Sequence, residues 1–507
     1  MWQTINKFVS KYLKYLYEET EEAMRTPHET QHAMLMQLVQ KHADTEWGRR
    51  YGFDKISSPK DFARQVPIVS YETIKGQIER MMNGEADVLA TGQVDWFAKS
   101  SGTTNSVSKF IPVTKDSLKN NHIMCGWKTL AYYYKNNPNA EIFARKTVLL
   151  GGTLYEYPAN KNTKTGDISA LLFHNMPAIC RSLFLAQPDI ISMPNIEQKI
   201  MTMAELMVDE DISMIGGVPT WTNILIQYVL QYAGTDDIFE VWPNLELYVH
   251  GGVNFEPHRA QFNRYFSNKN IAYQEIYNAS EGYFGIQDDL TDKGMKLILN
   301  GAVYFEFMPK SEWEAEHPRA IPLQEVELGV DYAIIITTAS GLWRYSIGDT
   351  VQFTSLAPYK IVITGRTTLF INVFGEEVVI ANTDKAIAQT CNEFEAILNE
   401  YTLAPIYFEE YKKGGHEWVI EFSKAPQQLE QFAEKLDLNL QKLNSDYQAK
   451  RFNSLALERL KLHTVPPGTF SGWMKNKGKY GGQHKVPRLS NNRNYVEDIL
   501  HFSGKFA

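Results

Sequence analysis

Cysteine is scarce in this chain: three in 507 residues, at positions 125, 180 and 391. So few, so far apart and odd in number, they argue against a disulfide framework and fit a reducing compartment, so a cytoplasmic location is expected. No apolar run approaches the roughly 20 residues that span a bilayer. The amino terminus, MWQTINKFVSKYLKYLYEE, interleaves Lys and Glu with apolar residues. It reads as an amphipathic helix and lacks the unbroken apolar core of a secretory signal. Positive charge is not in surplus either. The net charge of −8 argues weakly against a nonspecific nucleic-acid binder. Internal repeats and low-complexity tracts are missing. So are G-x-x-x-x-G-K-[ST] and a strand-following G-x-G-x-x-G, two common phosphate-binding devices. His28-Glu29-Thr30-Gln31-His32 matches H-E-x-x-H, but no glutamate stands near the usual downstream distance for a third zinc ligand. Thr26, Pro27 and Glu29 read better as a capping box opening a helix.

What is present describes a globular protein: 44% hydrophobic and 22% charged residues, in a chain long enough for several domains. The first ninety residues have helical apolar spacing. From Thr147, short apolar runs end in glycine: TVLLGG (147–152), SMIGGVP (213–219) and LELYVHGG (245–252); IAYQEIYN (271–278) ends in a polar turn. Helix-patterned stretches separate several of them, so α/β layers with ligand loops at the carboxyl ends of strands are expected. Between Lys296 and Ile363 the pattern is nearly all strand, which reads as an antiparallel sheet or barrel. A boundary is expected at 366–370. Beyond it come an amphipathic helix near 381–397, a hairpin over 405–422 turning at Gly414-Gly415, and helical stretches near 426–460. The stretch from Lys475 to Arg488 carries five Lys or Arg and no acid.

Five segments carry candidate chemistry. Ser100, Ser101, Gly102, Thr103 and Thr104, followed by Lys109, combine hydroxyls, a glycine and a cation, which suit phosphates; a plain polar turn is the competing reading. Ser280-Glu281 follows an apolar strand. A carboxylate beside phosphates repels them unless a cation such as Mg²⁺ intervenes; a solvated loop acid is the alternative. Asp349, in SGLWRYSIGDTVQF, could accept two hydroxyl hydrogen bonds from a ribose diol, or could be a turn residue. Arg366 ends the strand at the boundary, and Lys485 lies in the glycine-rich basic stretch GGQHKVPR.

In order and spacing these segments resemble the adenylate-forming enzymes, more closely the auxin-responsive Gretchen Hagen family of acyl acid amido synthetases. The matching motifs are Ser100 to Lys109, the set Tyr277, Ser280 and Glu281, WRYSIGD ending at Asp349, and KVPR from Lys485 to Arg488. The resemblance spans roughly residues 25 to 490. It implies a large N-terminal adenylation domain (1–366: a helical segment to 90, then α/β and sheet or barrel parts). A smaller, mobile α+β domain (367–507) carrying the late lysine would follow. It implies ATP and Mg²⁺, a small carboxylic acid and an amine, usually an amino acid, and neither nucleic acid nor membrane as partner. By resemblance, Ser100, Ser101, Gly102, Thr103, Thr104 and Lys109 take the β/γ-phosphates, Ser280 the α-phosphate and Glu281 the metal. Gly251, Gly252 and Val253 lie along adenine with Tyr277 stacked on it, Asp349 and Arg366 hold the ribose, and Lys485 serves adenylation. An acyl-CoA ligase using a thiol, or a silent nucleotide-binding protein, remain the other readings. Trp221, Met124 and Tyr283 could line an acyl pocket, but large apolar residues fill cores by default.

Overall fold

Apolar residues at helical spacing account for the start of the chain. The structure is a computed structural model. It describes all residues except 1, 101–108, 177–180, 182–183, 186–189, 191–192, 194–195, 253–254, 267–270, 314, 316, 368–369, 372–375, 377, 407–413, 445–446, 449–450, 452–456, 479–484, 491–492 and 505–507. Helices Trp2–Arg25, Pro27–Lys41, Glu46–Arg50, Pro59–Gln65 and Tyr71–Met82 occupy the first ninety residues. In the last of these, Ile74, Ile78 and Met81 repeat at helical spacing and are buried, which fixes the face turned inward. Ser58 caps Pro59–Gln65 by accepting from Asp61 N at 3.1 Å, with proline at the first helical position. The helix after Thr26 also opens on its proline, but the capping box is not made. The Thr26 hydroxyl lies 3.5 Å from the Thr30 hydroxyl instead of on a first-turn N–H.

Two compact units divide the chain: Met1–Val253 with Phe266–Val362, and Asn254–Tyr265 with Ile363–Ala507. The division falls inside the strand Tyr359–Arg366, and it assigns the helix Glu256–Tyr265 to the second unit.

An eleven-stranded mixed sheet organises the first unit. From one edge its strands are Lys146–Leu149, Ile212–Gly217, Leu247–Gly251, Ala272–Ala279, Gly282–Ile286, Met295–Leu297, Tyr359–Arg366, Tyr345–Leu356, Asp331–Thr338, Val303–Pro309 and Ile321–Pro322. The first four run parallel. The first three are the glycine-ended runs of the sequence and the fourth is the run that ends in a polar turn, and helices such as Pro219–Ala233 connect them. Of the two arrangements open to the all-strand stretch, sheet or barrel, the structure has the sheet. Its antiparallel strands continue the parallel ones through the pairing of Gly282–Ile286 with Met295–Leu297. Residues Tyr332 to Thr338 are buried throughout, as expected of a strand covered on both faces. A second sheet of four strands holds Lys109–Val113, Trp96–Ser100, Asn160–Gly166 and Leu154–Tyr157, in that order.

In the second unit, strand Gly415–Lys424 pairs antiparallel with Ile397–Ile406 and parallel with Lys461–Val465. Helices Ile380–Glu393 and Leu429–Leu443 pack against each other. The hairpin does not turn at Gly414-Gly415. Gly415 already pairs with Ile406, because the first strand begins at Ile397, inside the stretch expected to be helical, and carries the register with it. The connection is 407–414, so Gly414 lies in it and Gly415 does not; 407–413 are outside the described residues, as is much of the second expected helical stretch.

Candidate functional site

Parallel strands bring their carboxyl ends to one side of a sheet, where loops can face a ligand. Here Gly217 pairs with His250, and Gly251 with Ile276, so the ends of Ile212–Gly217 and Leu247–Gly251 lie beside the last residues of Ala272–Ala279. Gly251 admits no side chain: a Cβ would lie 2.6 Å from the Ile276 carbonyl oxygen. Gly252 follows with φ +80°, a left-handed conformation that glycine adopts at low cost. Val253 lies outside the described residues.

Ala279 pairs with Gly282, so Ser280 and Glu281 form the two-residue turn of a hairpin. Hairpin turns are ordinarily solvent-exposed, and glutamate is rarely buried. Yet Ser280 is 4% and Glu281 7% exposed. Asn121 clamps the strand that follows. Its side chain accepts from Tyr283 N at 2.7 Å and donates to the carbonyls of Tyr283 (2.9 Å) and Gly301 (2.6 Å). Asn121 lies in a turn of π-helix, Leu118–Ile123, a geometry frequent at functional positions. A single asparagine in a helical stretch carries no signal in the sequence.

Tyr277, on the strand leading into this turn, donates its hydroxyl to Asp349 Oδ2 at 2.9 Å. Three strands stand between the two in the sheet, yet the bond joins the second candidate motif to the third. The ring is 3% exposed and lies edge-on to Phe284, with centroids 5.0 Å apart. It presents little open face for stacking; what it offers Asp349 is orientation.

Asp349 stands five residues beyond Arg344 of the same motif. Arg344 has φ +44° and is buried. Its guanidinium grips Glu306, with Nε to Oε2 and Nη2 to Oε1 both 2.9 Å, and Nη1 donates to the carbonyls of Ala63 and Val66 at 2.8 Å. Burial pushes the Glu306 carboxyl upward from its ordinary value, against the opposing pull of Arg344. Another cation that sequence reasoning passed over is Lys199. Its Nζ donates to the carbonyls of Gly151 (2.7 Å) and Gly152 (2.9 Å), fixing the loop after Lys146–Leu149, and burial lowers its pKa to about 8.

Ser100 and Lys109 are direct cross-strand partners in the four-stranded sheet, so Ser101, Gly102, Thr103 and Thr104 belong to the connection between two antiparallel strands. Those four residues lie outside the described residues. Lys109 Nζ stands 5.6 Å from the centroid of the Tyr71 ring. Thr114, just after this hairpin, donates to the Ala339 carbonyl at 3.1 Å, which ties it to the turn before WRYSIGD. Arg366 closes the strand Tyr359–Arg366, and exposed Lys485 belongs to the second unit. Met124 and Tyr283 pack into cores, and Trp221 is 9% exposed. Among the described residues no group of three or more His, Cys, Asp or Glu could hold a metal ion, and no helix is long and apolar enough to cross a membrane.

Comparison with known proteins extends over nearly the whole chain. Indole-3-acetic acid-amido synthetase GH3.3 of Arabidopsis thaliana is 24% identical over 92% of this chain and 90% of its own length. Probable indole-3-acetic acid-amido synthetase GH3.2 of Oryza sativa subsp. japonica is 22% identical, over 93% and 89%. The solved GH3.15 acyl acid amido synthetase shares the fold, with a TM-score of 0.79 at 17% identity over 96% of both chains. A 2-hydroxyisobutyryl-CoA ligase in its postadenylation state shares it more distantly, with a TM-score of 0.61 at 12% identity over 94% of this chain and 91% of that one. Residues 16–271, 296–366 and 381–494 match the GH3 family N-terminal, central and C-terminal domains respectively, and the chain belongs to the GH3 family.

Proposed function

We propose that the chain is an adenylate-forming ligase that activates a carboxylic acid with ATP and transfers the acyl group to the amino group of an amino acid. A carboxylate oxygen attacks the α-phosphorus and pyrophosphate departs, leaving an acyl-adenylate. The amine then attacks the acyl carbon, AMP departs, and an amide bond forms. The observation that carries this reading is the Tyr277–Asp349 hydrogen bond, which joins motifs 72 residues apart next to the buried turn Ser280-Glu281. Membership of the GH3 family and likeness to proteins named amido synthetases support it.

Two anions must meet in the first step, so donors and cations placed in advance should supply most of the barrier reduction. In this reading Ser100, Ser101, Gly102, Thr103, Thr104 and Lys109 bind the β/γ-phosphates, and Ser280 donates to the α-phosphate. Gly251 and Gly252 border adenine, where a bare backbone lets the base approach, with Val253 next in the chain. Asp349, aimed by Tyr277, accepts from the ribose hydroxyls, with Arg366 beside the sugar. Lys485 supplies a positive charge to adenylation from a second domain that changes position between the half-reactions. Glu281 fits Mg²⁺, which takes one or two carboxylates plus phosphate oxygens and needs no dedicated cluster of protein ligands. Bound there, the ion would offset phosphate charge.

Asp349→Ala should weaken ATP binding by about ten- to a hundredfold, the scale of lost hydrogen bonds to a charged group. Tyr277→Phe keeps the carboxylate and loses only its orienting donor, so affinity should fall about fivefold, roughly 1 kcal/mol. Calorimetric titration with ATP measures both; unchanged affinity in Asp349→Ala removes the ribose assignment.

The function itself is tested by a pyrophosphate-release screen of carboxylic acids against pooled amino acids, with coenzyme A in parallel. Acid-dependent release with an amide product supports the reading. A thioester product would make the chain an acyl-CoA ligase. Nucleotide that binds and is never turned over with any acid would contradict catalysis.

A further inference from the structure

The chain that leaves Lys485 is pinned to the strand Ile397–Ile406. Thr402 Oγ1 donates to the Pro487 carbonyl at 2.6 Å, Leu403 N to the Arg488 carbonyl at 2.9 Å, and Ser490 N to the Leu403 carbonyl at 3.2 Å. Burial sets in across the same residues: Lys485 is exposed, Arg488 is 8% exposed and Leu489 is fully buried.

Arg488 is the side-chain anchor of this path. Its Nη1 donates to Asp384 Oδ1 at 2.7 Å, and its Nε lies 3.4 Å from Glu400 Oε1. The guanidinium carbon stands 5.2 Å from the centroid of the Tyr401 ring, and Nη2 lies 3.4 Å from His258 Nε2. Asp384, fully buried on the helix Ile380–Glu393, also accepts from the Tyr401 hydroxyl at 2.5 Å. One guanidinium thereby ties the 485–490 segment to that helix, to the strand and to the helix Glu256–Tyr265.

A buried ion pair adds little net stability compared with a well-packed apolar replacement. What a planar fork does supply is direction: two acids and an aromatic plate specify one placement of the group. Three residues of chain span at most about 10 Å, so whatever fixes Arg488 confines the Lys485 backbone within that radius. An apolar residue could fill the same volume and would not specify that path.

We propose that Arg488, through its buried contact with Asp384, is a positioning residue for Lys485: it holds the lysine's chain on the path from which that charge serves adenylation. The inference rests on the role given to Lys485 above. Arg488 would act through the lysine and not touch substrate.

The test compares Arg488→Lys, Asp384→Asn, Lys485→Ala and the double variant Arg488→Lys/Lys485→Ala. Four readouts are taken: acid-dependent ATP–pyrophosphate exchange, ATP affinity, amide formation from chemically prepared acyl-adenylate, and the unfolding midpoint. Arg488→Lys keeps the charge and loses the fork. Its exchange kcat should fall about ten- to a hundredfold, the scale of a misplaced catalytic group, while ATP affinity and transfer from supplied adenylate stay near wild type. Asp384→Asn should behave alike. The double variant should be no slower than Lys485→Ala alone, because both changes remove one action.

Wild-type exchange in Arg488→Lys, beside a Lys485→Ala slowed by a few hundredfold, would overturn the positioning role and leave the lysine's role standing. Full exchange in Lys485→Ala would overturn both. Multiplying losses in the double variant, or losses in exchange matched by equal losses in transfer and unfolding midpoint, would mark Arg488 as merely structural and overturn the proposal.

Discussion

Lys485→Ala is expected to slow acid-dependent ATP–pyrophosphate exchange by a few hundredfold while leaving ATP binding nearly intact. The side chain is exposed, so its removal uncovers no core. A large loss of exchange at an unchanged unfolding midpoint would therefore come from the reaction. In the adenylation transition state, charge builds on the bridging and leaving oxygens of ATP as the carboxylate arrives. A cation aimed there acts more strongly on the transition state than on bound ATP. Removing one comparable donor elsewhere costs about 3 to 4 kcal/mol, a factor of a few hundred in rate. Exchange measured with saturating ATP and acid isolates that half-reaction from amide formation. Undiminished exchange would strike the lysine from the mechanism. A loss that followed ATP affinity instead would make it a binding residue.

Arg344→Met should strongly destabilise the first unit. Glu306 sits mid-strand in Val303–Pro309, 3% exposed, and its carboxylate is held by Arg344. Removing the guanidinium leaves a buried carboxylate and the Ala63 and Val66 carbonyls without their donor, which should cost about 3 to 5 kcal/mol. Adding Glu306→Leu removes the stranded charge as well, so the double variant should recover much of the loss. Urea unfolding of wild type, both single variants and the double measures this directly. A double variant no more stable than Arg344→Met would show that the cost lies elsewhere, for example in the residue's left-handed backbone, where φ is +44°. Because Asp349 lies five residues on, ATP affinity should fall in parallel.

These two residues also mark what the sequence could and could not convey. The parallel strands were legible because three are short apolar runs closed by glycine and the fourth is an apolar run closed by a polar turn, and the Ser280-Glu281 turn because a polar pair interrupts strand residues. Asp349 and Tyr277 could each be picked out, but their hydrogen bond joins positions 72 apart and no local pattern encodes it. The joining of the antiparallel strands to the parallel ones in one sheet is likewise a non-local pairing. So is the assignment of the helix Glu256–Tyr265 to the second unit: its residues specify a helix, not what it packs against. The misplaced hairpin turn has a local cause. Gly414-Gly415 is a strong turn signal, overridden by register across the long strand from Ile397.

The basic stretch near the carboxyl terminus shows how a one-dimensional reading of charge misleads. It contains no acid, yet Arg488 meets Asp384 and Lys477 meets Asp498, at 2.7 Å each. Acids distant in sequence or just beyond the stretch partner its cations. The absence of acid within the stretch therefore carries no argument for an anionic ligand, and the case for Lys485 rests on the motif and on the variants above.

The chemistry at the centre of the account is attack by a carboxylate oxygen on the α-phosphorus of ATP. A carboxylic acid found active in the pyrophosphate screen, labelled with ¹⁸O in both carboxyl oxygens, decides it when the products are weighed by mass spectrometry. The account predicts one ¹⁸O in AMP and none in pyrophosphate. Label in inorganic phosphate, formed together with ADP, would mean activation at the γ-phosphate and would contradict it.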